Sequence, residues 1–144
     1  MDRPVVTLVG GHYGAPTRLT GSAGLLIGRP IPFQPGTASD SSRAGLLITG
    51  SAGAGGVRMA AGVAGLALEG PYLTTGFEAL GTITRTATAP RGATSEATYV
   101  GAEAGLVLMS VRLSAGVAQR AAGPSESRAT IFTWSVGVQV PVGW

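Results

Sequence analysis

The last seventeen residues of this chain, Arg128 to Trp144, alternate between two kinds of side chain with a period of two residues. Counting back from Trp144 to Phe132, every second residue is valine or an aromatic residue. The residues between them are small and mostly polar. Because successive side chains of a strand point to opposite faces, this pattern predicts a β-strand with one wholly apolar face.

Aromatic residues stand at both ends of that apolar face. Trp134 and Trp144 are ten residues apart, which corresponds to about 33 Å along a strand. At a tilt of roughly 40°, this length projects to about 25 Å, the height of the apolar band between the two aromatic girdles of a transmembrane β-barrel. We therefore predict that Phe132, Trp134 and Trp144 are membrane-girdle aromatics.

The composition agrees with a membrane protein that does not use helices. Only 12% of the residues are charged and the mean hydropathy is +0.33, yet no segment reaches the roughly 20 apolar residues that a spanning helix needs. This combination is typical of a membrane β-barrel, in which only the lipid-facing positions must be apolar. With 144 residues, we expect residues 1–144 to form a single domain.

Several function classes are disfavoured by what the chain contains. All the basic residues are arginines, and they are scattered singly, so we predict no nucleic-acid partner. There is no cysteine and only one histidine, so we predict no metal site and no cofactor.

The tripeptide Ala-Gly-Leu begins at residues 23, 44, 64 and 104. Spacings of 41 and 40 residues between three of these copies fit a two-strand hairpin that is used several times. At about 18 to 20 residues for a strand and its turn, the chain holds about eight strands, and membrane barrels are even-numbered from eight upward. The predicted fold is therefore all-β, an antiparallel up-and-down transmembrane β-barrel of about eight strands. The predicted strands are Val5–His12, Arg18–Gly28, Ala44–Gly50, Val57–Glu69, Tyr72–Thr86, Thr98–Met109, Val111–Arg120 and Arg128–Trp144.

The alternating strand from Phe132 to the terminal aromatic Trp144 resembles those of small bacterial outer-membrane β-barrels, of the OmpA transmembrane-domain and OmpX type. The resemblance is at the level of the class, because no motif indicates a subfamily. It implies a structural or anchoring protein of a Gram-negative outer membrane, surrounded by lipid, or a subunit of an envelope assembly. The chain begins Met1-Asp2-Arg3-Pro4 without a signal-peptide segment, so we expect that a signal peptide has been removed.

One connection departs from the pattern of that class. If the last strand ends at the periplasm, the Arg29–Arg43 segment lies on the periplasmic side, where these barrels have short turns. It is the longest connection in the prediction. Either the strand count is wrong in the N-terminal half, or this loop contacts a partner protein of the envelope.

The predicted inward face carries most of the charge of the strands. An eight-stranded interior is just wide enough for side chains, so we expect ion pairs to fill it, with a charged constriction or a ligand-binding lumen as the alternative. Because an unpaired buried charge is costly, both glutamates should meet arginines. The predicted interior polar network consists of Glu78, Glu103, Arg112, Arg120, Ser114 and Gln139.

Two segments of the sequence could indicate an enzyme, and we reject both interpretations. His12 has no serine beside it, so we predict no catalytic residue and place His12 near a barrel rim. The Leu46–Gly56 segment resembles a strand that enters a dinucleotide-binding turn, but such a site requires a helix after the glycines, and Val57–Leu68 alternates. The remaining alternatives are a lipid-modifying or small-solute-binding barrel, and a soluble, self-assembling β-protein.

Overall fold

A computed structural model of the chain describes residues 5–31, 42–69, 73–87, 90, 92–124 and 128–142. Eight antiparallel strands close into a barrel in which each strand pairs with its neighbours in sequence and the last pairs with the first. The strands are β1 (Val5–Ala15), β2 (Arg18–Pro30), β3 (Ser42–Gly53), β4 (Gly56–Glu69), β5 (Leu73–Thr86), β6 (Thr98–Leu108), β7 (Val111–Ala122) and β8 (Thr130–Val142). The described residues include no helix long and apolar enough to cross a membrane.

The strand register fixes the geometry of the barrel. Following paired residues from Val5 on β1 around all eight strands leads back to β1 at Ala15, ten residues further along. An offset of this size over eight strands corresponds to a tilt of about 41°. Each residue therefore rises by about 2.5 Å along the barrel axis.

The prediction of an all-β, up-and-down barrel of eight strands is confirmed. The predicted strands coincide with the observed ones except near their ends; β1, for example, continues from the predicted end at His12 to Ala15. We call the end of the barrel where β1 begins and β8 ends the terminal end, and the opposite end the loop end. As the strand count predicts, β2 ends at Pro30 and β3 begins at Ser42, both at the terminal end; residues 32–41 of the predicted connection, and Trp144, lie outside the described residues.

The glycine-rich segment that resembles a dinucleotide-binding turn has a different structure. Leu46 to Gly53 belong to β3, a two-residue turn follows, and the chain continues as β4. The segment after the glycines is thus a strand, so the helix N-terminus that would hold a pyrophosphate is not formed there.

The Ala-Gly-Leu copies do not occupy equivalent positions, although three of them lie on successive even-numbered strands. Leu25 on β2 and Leu106 on β6 are exposed, whereas Leu66 on β4 is fully buried. The spacing alone does not decide the face, because the 41-residue step and the 40-residue step both change it; the lengths of the intervening strands and connections shift the alternation as well.

The tight connection between β6 and β7 consists of Met109 and Ser110, which have φ angles of 49° and 68°. Two successive positive φ values match the twist of the flanking strands and are typical of a type I′ hairpin turn. Ser110 is also tied to β5, because its backbone N–H donates to the Thr74 carbonyl at 2.8 Å and its Oγ accepts from the Thr74 N–H at 3.1 Å.

We expect Met109→Asn to raise the free energy of unfolding by about 0.5–1 kcal/mol, because asparagine adopts a positive φ more readily than methionine. Met109 is 68% exposed and loses little packing. The control is Met59→Asn, since Met59 is also 68% exposed but lies within β4. Denaturant unfolding should show stabilisation at residue 109 only; equal effects of the two variants would contradict this account of the turn.

Candidate functional site: the charged interior

The charged interior is centred on Arg112, which β7 directs into the barrel. Its guanidinium pairs with the Glu78 carboxylate through Nε and Nη2, and its Nη2 lies 3.0 Å from Glu103 Oε1. Nη1 donates to Ser114 Oγ at 3.2 Å and to Ser135 Oγ at 2.9 Å. The planar guanidinium of Arg112 therefore connects side chains from β5, β6, β7 and β8 through its hydrogen bonds and ion pairs.

Arg58, on β4, is a second cation of this network that the sequence analysis missed. Its Nη2 lies 2.9 Å from Glu103 Oε1, so a single carboxylate oxygen contacts both arginines. Thr133 Oγ1 donates to the other oxygen of Glu103 at 3.5 Å. A signal for Arg58 existed in the sequence, because it shares a parity with Ala60, Gly62 and Ala64, the small residues of β4.

Small residues provide the room that the network occupies. A Cβ atom added at Gly105 would come within 2.8 Å of Cγ and Oε1 of Glu78. One added at Gly116 would lie 2.9 Å from Thr133 Oγ1. Glycine at these inward positions of β6 and β7 therefore lets long charged side chains cross an interior that is only wide enough for side chains.

His12 lies inside the barrel and not at the rim where the sequence analysis placed it. Only 8% of the residue is exposed, and it lines a cavity together with Arg58 and Glu103. The error follows from the length of β1, which continues for three residues beyond His12. The backbone oxygen of His12 accepts a hydrogen bond from Thr20 Oγ1 at 3.2 Å.

Two residues of the predicted polar network lie away from its centre. Gln139 is buried on β8, where its backbone oxygen accepts from Thr74 Oγ1 at 3.3 Å. Arg120 lies at the loop end, where its Nη1 donates to the Pro124 carbonyl at 3.0 Å in an exposed bond. The β6–β7 register shifts beside Tyr99, which pairs with Arg120. The structure thus brings together Glu78, Glu103, Arg112 and Ser114, and places Arg120 nearer the loop end than these four residues.

Apolar layers lie on both sides of the charged interior. At the loop end, Tyr99 is fully buried against Ala118 and Ile131, and its hydroxyl donates to the Arg128 carbonyl at 3.2 Å. At the terminal end, an aliphatic layer fills the barrel, and its most buried members are Val6, Leu8, Leu26, Leu47, Leu66 and Val107. The charged network is therefore separated from solvent at the terminal end by packed aliphatic side chains.

The outer surface of the barrel is apolar, in contrast to the charged interior. Phe132 is 62% exposed, and Trp134 packs edge-to-face against Tyr13 with a centroid distance of 6.1 Å. Both predicted aromatics thus lie on the outer face toward the loop end, and Trp144 lies outside the described residues. The described residues contain no group of three or more metal-ligating side chains.

Neither protein-family models nor searches of the curated proteins and of the solved structures give a match to this chain. The fold and its interior therefore define the class by themselves: a small, closed, eight-stranded antiparallel β-barrel with a packed ion-pair network.

We expect Arg112→Met to lower the free energy of unfolding by about 3–5 kcal/mol, because it leaves two buried carboxylates with too few partners. The control Arg120→Met removes an exposed contact and should change it by less than about 0.5 kcal/mol. Adding Glu78→Gln to Arg112→Met should restore part of the loss, since one uncompensated charge is removed. Equal losses in the two arginine variants, measured by denaturant unfolding, would contradict this role of Arg112.

Proposed function

We propose that this protein is an integral β-barrel of a bacterial outer membrane, with a structural or anchoring role. The observation that carries the proposal is an uncharged outer band that surrounds the whole barrel. Its terminal-end limit is Arg29 on β2, and its loop-end limit is Arg85 on β5; both are exposed and outward-facing. Between these levels, the outward residues of the described strands carry no charge.

The height of this band agrees with a bilayer. From the strand register and a rise of about 2.5 Å per residue, Arg29 and Arg85 are separated by about 30 Å along the barrel axis. The hydrocarbon core of a bilayer is about 30 Å thick, and the apolar band of outer-membrane barrels is about 25 Å high. The band consists of outward aliphatic side chains, of which Val140 is half-buried and the following are exposed: Leu19, Leu25, Ile27, Leu106, Leu108, Leu113, Val117, Val136 and Val138.

The apolar band extends around the whole barrel, which favours a surrounding bilayer over contact with other subunits of a soluble assembly. Every one of the eight strands exposes large hydrophobic side chains. An interface with another subunit covers one side of a protein, whereas a bilayer covers all sides. Continuous apolar surface of this extent is far beyond the few hundred square ångströms usual for a soluble monomer.

The interior favours a structural role over transport or catalysis. Both interior glutamates contact arginine, and the aliphatic layer at the terminal end fills the barrel. A packed, ion-paired interior stabilises a barrel and leaves little space for a substrate. In the outer-membrane orientation the terminal end faces the periplasm, so the long β2–β3 connection would be available to a partner protein of the envelope.

The direct test is insertion into membranes. We expect the folded protein to float with phospholipid vesicles through a density gradient and to resist extraction by alkaline carbonate. Its gel mobility in detergent should change on heating, because a closed barrel resists detergent until it is unfolded thermally. A protein that stays soluble and monodisperse without detergent would contradict the proposal.

We expect Val138→Arg to cost about 2–4 kcal/mol of folding free energy in lipid, because Val138 lies close to the middle of the band. Thr130→Arg is the matched control on the same strand, since Thr130 is exposed at the loop end and should cost only about 0–1 kcal/mol. The folded fraction in vesicles at increasing urea measures both. Similar costs for the two variants would contradict a bilayer at this depth.

A further inference from the structure

Three exposed arginines are distributed around the loop end of the barrel. Arg18 is the first residue of β2, Arg85 lies one residue before the end of β5, and Arg128 lies two residues before β8. In the closed barrel, β5 is three strands away from both β2 and β8, and β8 is separated from β2 by β1. The arginines are scattered along the sequence, but the fold brings these three to one end of the molecule and places them on different sides of it.

These arginines lie at the level where the apolar band ends. Arg85 is the loop-end limit of the band, and the strand register places Arg18 and Thr130, the first residue of β8, within about 5 Å of Arg85 along the barrel axis. On each side of a bilayer, a head-group region of about 5–7 Å adjoins the hydrocarbon core. In the bilayer position proposed above, the three arginines are therefore at the level of the lipid head groups.

The charge of these arginines is not neutralised by the residues that the structure describes. Arg18, Arg85 and Arg128 form no ion pair with a described residue, and Arg85 Nη1 donates to Thr98 Oγ1 at 3.3 Å. Glu96 is the single acidic residue among the described residues outside the strands. The loop end thus presents an excess of positive charge. A phosphate group complements it, because a guanidinium can donate several hydrogen bonds to phosphate oxygens.

Hydrogen bonds fix the connections that carry two of these arginines. The backbone N–H of Arg128 donates to Thr94 Oγ1 at 3.2 Å, and the Tyr99 hydroxyl donates to the Arg128 carbonyl at 3.2 Å. Thr86, which follows Arg85, donates from its Oγ1 to the Thr94 carbonyl at 2.5 Å. Thr94 therefore ties the end of β5 to the segment before β8. A preformed arrangement of this kind binds a ligand with little further cost in ordering the chain.

We propose that the loop end binds the phosphate groups of anionic lipids in the surrounding leaflet through Arg18, Arg85 and Arg128. A small soluble anion cannot reach arginines on different sides of the barrel, whereas a leaflet reaches them all. The inference rests on the membrane role proposed above and adds to it a preference for one class of lipid.

The fluorescence of Trp134 tests this preference, because Trp134 lies on the outer face toward the loop end. Trp144→Phe leaves Trp134 as the only tryptophan, and lipids with brominated acyl chains quench it on contact. Vesicles that mix phosphatidylglycerol and phosphatidylcholine, with one of the two brominated, give the relative association constant of the lipids beside Trp134. We expect a preference for phosphatidylglycerol of about fivefold for each nearby arginine. The preference should fall as the salt concentration rises, because exposed charges are screened.

Variants in the Trp144→Phe background assign the preference to the loop end. Arg18→Gln combined with Arg128→Gln should bring the relative association constant close to one, because Arg128 precedes the strand of Trp134 and only β1 separates that strand from β2. The matched control is Arg29→Gln, which should keep the preference, since Arg29 is exposed about 24 Å from the level of Trp134 along the barrel axis.

Two results would overturn the proposal: equal association of the two lipids without any arginine substitution, or an unchanged preference in the double arginine variant. A failure of the membrane role gives a different result. In that case brominated phosphatidylcholine alone would not quench Trp134, because the outer face would not contact acyl chains.

Discussion

Closure of the sheet is the constraint on which the rest of this structure depends. Every strand is hydrogen-bonded on both sides, because β8 pairs with β1, so no sheet edge is left open. Closure over eight strands with an offset of ten residues also makes the interior narrow. Side chains on the inward face must then fill that interior completely, and any charge among them must find its partner within it.

The ion-pair network provides partners for the interior charges, but its two arginines do not make the same number of contacts. Among the described residues, Arg112 contacts both glutamates and two serines, whereas Arg58 forms an ion pair with Glu103. Replacing Arg112 is therefore expected to lower the stability of the fold most. The aliphatic layer at the terminal end separates these charges from solvent on one side, and the lower dielectric constant there strengthens their interactions.

Much of the fold could be predicted because a strand reveals its faces through alternation. The predicted inward positions of β6, β7 and β8 agree with the structure, since Glu103, Arg112, Ser114 and Gln139 are buried. Alternation says nothing about which inward side chains meet across the barrel. Arg58 was missed because alanine and glycine occur on both faces of β4, so the alternation that places Arg58 with Ala60, Gly62 and Ala64 is weak. His12 was misplaced because the predicted β1 ended there, whereas the strand continues to Ala15 and the chain turns at Pro16 and Thr17.

The sequence by itself determined that the chain forms about eight strands with an apolar outer face, because a period of two and turn residues at regular spacing are local properties. Only the tertiary structure decided the register of closure, and with it the depth at which each side chain lies. The meeting of Arg112 with Glu78, the sharing of Glu103 by two arginines and the cavity beside His12 all follow from that register. They join residues from strands far apart in the sequence, and local patterns carry no information about such contacts.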